Sequence, residues 1–440
     1  MSRRTLKELH RERLHQDAGQ APAMRVAVVN LGCVRNTVDS QSIIGTLERK
    51  GHALSSVDNA DVVVVNTCGF IEDAKKESID TILELLRLKE RGKIRKVVVA
   101  GCLAQRYARD LQKELKDVDA FIGVQSLSRE ALQASPYLTP PHYAYVKICE
   151  SCFNACSFCA IPGIKGKFAS RDMEAVLADV KRLDERGVRE INMIGQDVTA
   201  YGLDIYRRKA LADLLKKVAR TVSPEAWVRL LYMHPAHITD ELLDVIASEP
   251  RVCKYLDIPL QHVSTRVLKA MNRKMTYDST VALVKKIRRV IPEAFLRTTF
   301  IAGFPGETKE DLDQLLGFIE EHPFERVGVF MYSREEGTPA YDLPGRVPAA
   351  VVRQRYARIM ELQQGISARL NARFIGKTLK VLIEERVKDE MLQYIGRSAF
   401  DAPDVDGVVH VRATAPLRIG DFAMVRLTGS MEYDLQGDAI

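Results

Sequence analysis

Residues 145–163 read YVKICESCFNACSFCAIPG, a short apolar run at 145–148 that leads directly into Cys152, Cys156 and Cys159. The run has the length and β-branched content of a buried strand, so the C-x3-C-x2-C spacing falls at its C-terminal end. Three thiolates this close in sequence suit a cuboidal iron–sulfur cluster, whose several irons can each take one. Three ligands on a four-iron cluster leave one iron open to a substrate or cosubstrate. Cys149 extends the spacing to C-x2-C-x3-C-x2-C, which also permits a four-thiolate zinc site. Zinc sites built from two such pairs usually separate them by about 12–20 residues, and here only three intervene.

Toward the C-terminus, strand-like and helical patterns alternate. Candidate strands at 190–194, 227–232, 255–258, 297–301 and 328–331 are separated by helical patterns at 173–186, 210–221, 240–248, 264–271, 279–290 and 309–321. With the first run they make six β/α units, the pattern of a barrel or partial barrel. A long helical pattern at 349–374 closes this segment. The expected strand ends carry Gly195-Gln196-Asp197, Met233-His234-Pro235, Pro259-Leu260-Gln261-His262, Gly303-Phe304-Pro305-Gly306-Glu307 and Tyr332-Ser333. Any one of these could be a helix cap or turn. Together they crowd one rim, where such barrels build active sites.

Toward the N-terminus, runs at 25–30 (RVAVVN), 62–66 (VVVVN), 96–100 (KVVVA) and 120–124 alternate with amphipathic stretches at 38–50, 72–91 and 105–116. This argues for an open parallel sheet covered by helices. Cys33, Cys68 and Cys102 each lie just past the end of one of these strands. The carboxyl ends of an open parallel sheet share one edge, so the three thiols should converge there. Gly32, Gly69 and Gly101 adjoin them and allow close backbone approach to a bulky group. The alternative is three cysteines that are merely buried, as the residue type often is.

Residues 1–23 are polar and lack the apolar segment of a signal peptide, so a frayed tail is expected. No run of about 18 apolar residues suggests a membrane span. The eight cysteines are then expected in a reducing, cytoplasmic compartment, as ligands or core residues rather than disulfides. A linker is expected at 135–141 (SPYLTPP). From residue 378 short β runs broken by Gly, Pro and Asp suggest a small all-β barrel. The expected domains are 24–138, 139–370 and 371–440. The net charge of +7 is unevenly spread: from residue 373 onward nine Lys/Arg face eleven Asp/Glu, leaving +9 on the preceding part.

The motifs resemble the radical S-adenosylmethionine (SAM) methylthiotransferase family over nearly the whole chain from Met24. The C-x3-C-x2-C after a first strand is similar to the radical SAM signature. NLGCVRNTVDS, NTCGFIEDAKKESID and AGCLAQRY resemble the family's N-terminal domain, and the last segment resembles a TRAM domain. GQDVTAYGLD (195–204), DIPLQHVSTRVLKAMNR (257–273), MYSREEGTPAY (331–341) and GRSAFDAPDVDG (396–407) are similar to the RimO branch, which methylthiolates an aspartate of ribosomal protein S twelve. The MiaB branch, which modifies adenosine in tRNA, is similar over the first two domains.

The resemblance implies two [4Fe–4S] clusters, one on Cys152, Cys156 and Cys159 that binds and cleaves SAM, and one on Cys33, Cys68 and Cys102 that presents sulfur. It implies an electron donor such as flavodoxin or ferredoxin, and no membrane. Gln196, Asp197, Gln261, His262 and Arg297 are candidates for the SAM pocket. Cys149 stands where the family pattern would place a small polar residue. The net acidic last domain, with Asp401, Asp404, Asp406 and Asp421, suits a basic ribosomal protein better than RNA. On that reading Asp401, Asp404 and Asp406 contact the substrate. The competing readings are a tRNA-modifying enzyme of the same chemistry and a non-catalytic metal-binding module that recognises ribosomes or RNA.

Overall fold

The structure, a computed structural model, describes residues 23–124 and 138–440. The expected N-terminal tail up to residue 22 and residues 135–137 of the expected linker lie outside the described residues.

The valine-rich runs form a parallel sheet. Its strands are β1 (Arg25–Asn30), the two-residue β2 (Ala53–Leu54), β3 (Val62–Thr67), β4 (Lys96–Gly101) and β5 (Ala120–Gly123), in the order β2-β1-β3-β4-β5. All six residues of the central β3 are buried, because helices cover both faces of a parallel sheet. Helices α1 (Val34–Arg49) and α2 (Glu72–Glu90) do this covering. Val63, Val65, Val97 and Val99 pack with Ile82 and Leu85 of α2 on one side, while Val26, Val62 and Val64 meet Ile43 and Leu47 of α1 on the other. Where one helix was expected at 105–116 there are two, α3 (Cys102–Arg106) and α4 (Ala108–Glu114). Tyr107 leaves helical geometry between them, and α3 begins on the cysteine itself.

The middle of the chain contains six parallel strands: β6 (Tyr143–Lys147), β9 (Glu190–Ile194), β10 (Trp227–Leu230), β11 (Tyr255–Asp257), β12 (Phe295–Ala302) and β13 (Arg326–Met331). A short hairpin, β7 (Cys149–Glu150) with β8 (Ala169–Ser170), flanks the cysteine loop, and α5 (Ile161–Lys165) follows the last cysteine. The strands pair as β6-β9-β10 and β11-β12-β13, and a bridge from Val228 to Val252 joins the two halves. The outer helices are α6 (Met173–Glu185), α7 (Leu211–Thr221), α8 (Asp240–Ser248), α9 (Thr265–Ala270), α10 (Tyr277–Val290) and α11 (Lys309–Glu321). The long α12 (Ala349–Ala372) packs against β13. Among the described residues β6 and β13 do not pair, so the barrel is partial.

The last segment is a closed five-stranded barrel of β14 (Thr378–Arg386), β15 (Gln393–Ser398), β16 (Val409–Arg412), β17 (Phe422–Ser430) and β18 (Leu435–Ala439), ordered β14-β15-β16-β18-β17. Its loop at 399–407 enters the partial barrel at the end where the strands begin. Tyr143 and Tyr145 donate to Asp404, and Tyr255 donates to Asp406 at 2.6 Å. Arg229 reaches the Ala399 carbonyl, Arg326 pairs with Asp401 at 3.0 Å, and Phe400 stacks on Phe295.

This placement corrects the acidic docking surface expected for the last domain. Asp401 and Asp406 are buried counter-charges: Asp401 for Arg326, and Asp406 for Arg297 at 3.3 Å. Asp421 pairs with Arg189 of the central domain. Asp404 is exposed, but its carboxylate is taken by the two tyrosines. Asp401, Asp406 and Asp421 offset cations that the central domain presents at its base, and the side chains of Asp401 and Asp406 are enclosed there.

Behind the loop lies a buried charge cluster. Glu190 of β9 sits between Arg229 at 2.8 Å and Arg397 of β15 at 2.7 Å, and Arg397 also binds Glu384. Burial pushes the Glu190 carboxyl up, but Arg397 and Arg229 outweigh it and hold it below the usual range. The carboxylate therefore contributes stability that is full above the ordinary glutamate pKa and is lost as pH falls through the lower folded value. Glu190→Gln leaves two guanidiniums without their shared counter-charge. It should cost about 3–5 kcal/mol in urea unfolding at neutral pH, with the difference from the parent narrowing in acid.

Candidate active site

Each N-terminal cysteine is placed by the turn that ends its strand. Cys33 is the N-cap of α1, Cys68 follows β3, and Cys102 opens α3 directly after β4. Gly32 and Gly101 have φ of +86° and +102°, which side chains rarely adopt. A Cβ on Gly32 would lie 2.7 Å from the Cβ of Cys68, so the glycine lets two cysteine-bearing turns touch. Asn36 ties the loops together by donating to the Leu31 and Thr67 carbonyls, and the Cys102 thiol donates to its Oδ1 at 3.8 Å. The Ser78 hydroxyl bonds both the N–H and the C=O of Cys68 at 3.0 Å.

Cys152, Cys156 and Cys159 lie on the loop after β7. Cys152 Sγ accepts from the N–H and the side-chain amide of Asn154, and Cys156 Sγ accepts from Arg273 at 3.7 Å. Such donors to sulfur suit thiolates that carry a metal group. Cys149 is different: it is fully buried in the barrel core and donates to the Asp197 carbonyl. Its sulfur is outside the set, which removes the four-thiolate zinc arrangement.

The six cysteines of the two triads line one cavity of about 250 Å³ between the open sheet and the barrel, and Cys253 is buried elsewhere. Burial pushes the Cys68 and Cys152 thiols up, and takes Cys102 and Cys159 to about 12. At Cys33 burial acts the same way but is outweighed by the Arg35 guanidinium together with the backbone N–H groups of Asn36 and Arg35, so that thiol is lowered. A bound cationic metal group would reverse the upward shifts at Cys68, Cys102, Cys152 and Cys159, because metal coordination deprotonates a thiol.

Of the other expected residues, Gln196 and Gln261 line the cavity. Asp197, His262 and Arg297 do not. Asp197 is a brace bonded by Asn154 and His237 at 2.8 Å each and by Thr199. His262 is buried behind the wall, where its Nδ1 accepts from the Ser264 N–H. Arg297 points to the barrel base and pairs with Asp257 and Asp406. The sequence reading missed Arg35, Asn154, Lys165, Tyr232 and Arg273 on the wall. Ser151, Tyr232 and Gln261 all have positive φ at the mouth of the barrel, and strained backbone of this kind collects at functional sites. No sequence pattern marks such positions in advance. Replacing Arg273 with Ala removes the donor to Cys156 and should weaken cluster retention about 10–100-fold, read as iron lost to a chelator over time.

Two ion-pair clamps join the cysteine-bearing domains across the cavity. On one side Asp39 of α1 accepts from Lys147 and from Lys165 at 2.9 Å, and Glu150 bonds the same lysines at 2.8 and 3.1 Å. On the other, Glu335 takes Lys75 at 3.1 Å and Arg106 at 2.8 Å. Arg35 also crosses the boundary, donating to the Gly195 carbonyl and lying over the Tyr232 ring.

Comparison with known proteins matches residues 25–123 to the uncharacterized protein family UPF0004, 146–319 to the radical SAM superfamily and 375–440 to the TRAM domain. A Desulforamulus reducens protein named ribosomal protein uS12 methylthiotransferase RimO is 43% identical over 94% of this chain and 99% of its own length. Proteins of the same name from Geobacter sulfurreducens and Cytophaga hutchinsonii are 42% and 44% identical, over 94% of this chain and 98% of theirs. The chain belongs to the RimO family of radical SAM methylthiotransferases. It is a transferase, and RimO membership sets aside the tRNA-modifying branch and the non-catalytic metal module. The fold agrees with a solved structure of the radical SAM methyltransferase TsrM from Kitasatospora setae, at a TM-score of 0.53 and 15% identity over 72% of this chain and 74% of that one. Each cysteine triad of this RimO-family chain falls within its own matched segment. No helix among the described residues is long and apolar enough to cross a membrane.

Proposed function

We propose that this methylthiotransferase adds a methylthio group to the β-carbon of an aspartate in ribosomal protein uS12, using two [4Fe–4S] clusters and SAM. The observation that carries the reading is the single cavity walled by both cysteine triads. Cys33, Cys68 and Cys102 would hold one cluster, and Cys152, Cys156 and Cys159 the other. The donor set fits: each triad offers three thiols, one fewer than the irons of a cubane, and a glycine without side-chain bulk adjoins the first. Gln196 Oε1 and His234 Nε2 are buried on the cavity wall without a partner, and both suit the polar groups of SAM.

When bound, the clusters and SAM supply the one-electron cleavage, hydrogen abstraction and sulfur that no side chain can provide. The chain's own residues hold and orient. Asn154 and Arg273 donate to cysteine sulfurs, Asn36 and Ser78 fix the first triad, and the clamps set the distance between the triads. The 399–407 loop closes the base of the barrel through its bonds to Tyr143, Tyr145, Tyr255 and Arg229. A reduced flavodoxin or ferredoxin would supply electrons, in the cytoplasm.

The test is anaerobic incubation of the reconstituted, reduced protein with SAM and purified uS12, with tRNA in a parallel tube. Mass spectrometry should find one methylthio group on an aspartate of uS12 and none on tRNA. Modification of tRNA alone would reject the substrate assignment.

A further inference from the structure

A second cavity, of about 340 Å³, lies behind the loop that carries Cys152, Cys156 and Cys159. Its wall includes Arg334, Arg346 and Arg353, and among the described residues no carboxylate lines it. All three arginines are exposed, and Arg346 and Arg353 have no ion-pair partner among the described residues. The C-terminal end of β13 exposes Phe330 at 57% and Met331 at 49%, and Met331 lines this cavity. Among the described residues β13 pairs only with β12, so this is the open edge of the partial barrel. An apolar patch ringed by unpaired arginines is the composition of a protein-docking surface whose partner is acidic.

What lies between this surface and the first cavity narrows the kind of partner. Phe158, which stands between Cys156 and Cys159, lines the cysteine cavity and meets Phe304 edge-on at 6.5 Å. Phe304 in turn meets Tyr332 at 5.4 Å, and Tyr332 lines the arginine cavity. A hydrogen-bonded route runs beside the rings: the Ala340 N–H donates to the Ser157 carbonyl at 2.8 Å, and the Tyr332 hydroxyl donates to the Ala340 carbonyl. The surface is thus joined to the cysteine loop by three packed aromatic rings and two hydrogen bonds.

We propose that the Arg334–Arg346–Arg353 surface docks a small acidic one-electron carrier protein, which reduces the group held by Cys152, Cys156 and Cys159 through the Phe158–Phe304–Tyr332 contact. The carrier is oxidised by one electron and the bound group is reduced by one, with no bond to the protein formed or broken. The proposal rests on the cluster assignment above, and dithionite separates the two. A nucleic acid is the other polyanion that could use the arginines, but exposed Phe330 and Met331 suit a protein face, and the aromatic route gives a phosphate backbone nothing to act on.

The test uses the full chain with both clusters reconstituted, the exposed double variant Arg346→Glu/Arg353→Glu, and the lysine pair Arg346→Lys/Arg353→Lys. Stopped-flow absorbance follows cluster bleaching by reduced flavodoxin without substrate, and calorimetry follows binding of oxidised flavodoxin. The glutamate pair should slow bleaching and weaken binding about tenfold or more, and the parent's salt dependence should largely vanish. The lysine pair should stay close to the parent, and dithionite should bleach all three proteins equally. Parent-like bleaching of the glutamate pair by flavodoxin overturns the docking surface, whether or not that variant also loses affinity for a ribosomal RNA hairpin. Failure of dithionite to bleach the parent would remove the cluster assignment itself, and the proposal with it.

Discussion

Cys156→Ala and Cys68→Ala should each leave about four irons per chain instead of about eight, and only the first should lose SAM cleavage. The six cysteines share one cavity, so wall position does not separate their roles. The division comes from the elements that carry them: Cys156 sits on the barrel loop, Cys68 at the edge of the open sheet. Each triad has its own supports, Asn154 and Arg273 for one, Asn36 and Ser78 for the other. Losing one cluster should therefore leave the other loaded. Chromatography after anaerobic turnover should find no 5′-deoxyadenosine from the Cys156 variant. The Cys68 variant should produce it within a few-fold of the parent, with no methylthio product. Methylthio product from the Cys68 variant would remove the first triad from sulfur insertion.

Asp39→Ala should separate cleavage from product formation without touching a cluster ligand. Asp39 lies on α1, which Cys33 caps, and its carboxylate bonds Lys147 and Lys165 of the barrel domain. Both ammoniums are largely buried, so deleting the carboxylate leaves two cations to share Glu150. Breaking a buried pair in this way costs about 3–5 kcal/mol, and here much of that falls on the domain boundary. The barrel triad keeps its own supports, so cleavage continues. The ratio of 5′-deoxyadenosine to methylthio product should rise about tenfold or more, and iron content should stay at the parent value. A ratio equal to the parent's would show that the Glu335 clamp and the Arg35 contact hold the domains without Asp39.

The alternating pattern of strands and helices was legible because β-branched runs buried on both faces leave little ambiguity. β9, α8 and α11 begin and end where the pattern places them. The cysteine convergence was legible for a topological reason, since parallel strands must present their carboxyl ends together. The pocket residues were less legible. Asp197 and His262 stand at the correct strand ends, but a strand end offers several directions, and theirs lead into the brace with His237 and behind the wall. Asp401 and Asp406 were misread because composition gives a domain's charge and not which neighbour neutralises it. Arg35 was missed because its function depends on a carbonyl 160 residues away. Nothing local in the sequence marks a contact at that range.

The loop that fills the base of the barrel has a consequence for how the chain can be divided. A chimera made by cutting near residue 375 and grafting on the last domain of a relative would exchange more than a recognition module. It would take away the counter-charges of Arg297 and Arg326, the carbonyl that accepts from Arg229 and the ring that stacks on Phe295. The graft would succeed only if the donor's loop could neutralise Arg297 and Arg326 and offer an acceptor to Arg229. Inheritance of the last domain is therefore tied to the interior of the middle one: substrate preference cannot be changed there by shuffling alone, and drift at Asp401 or Asp406 requires a matching change in the barrel strands.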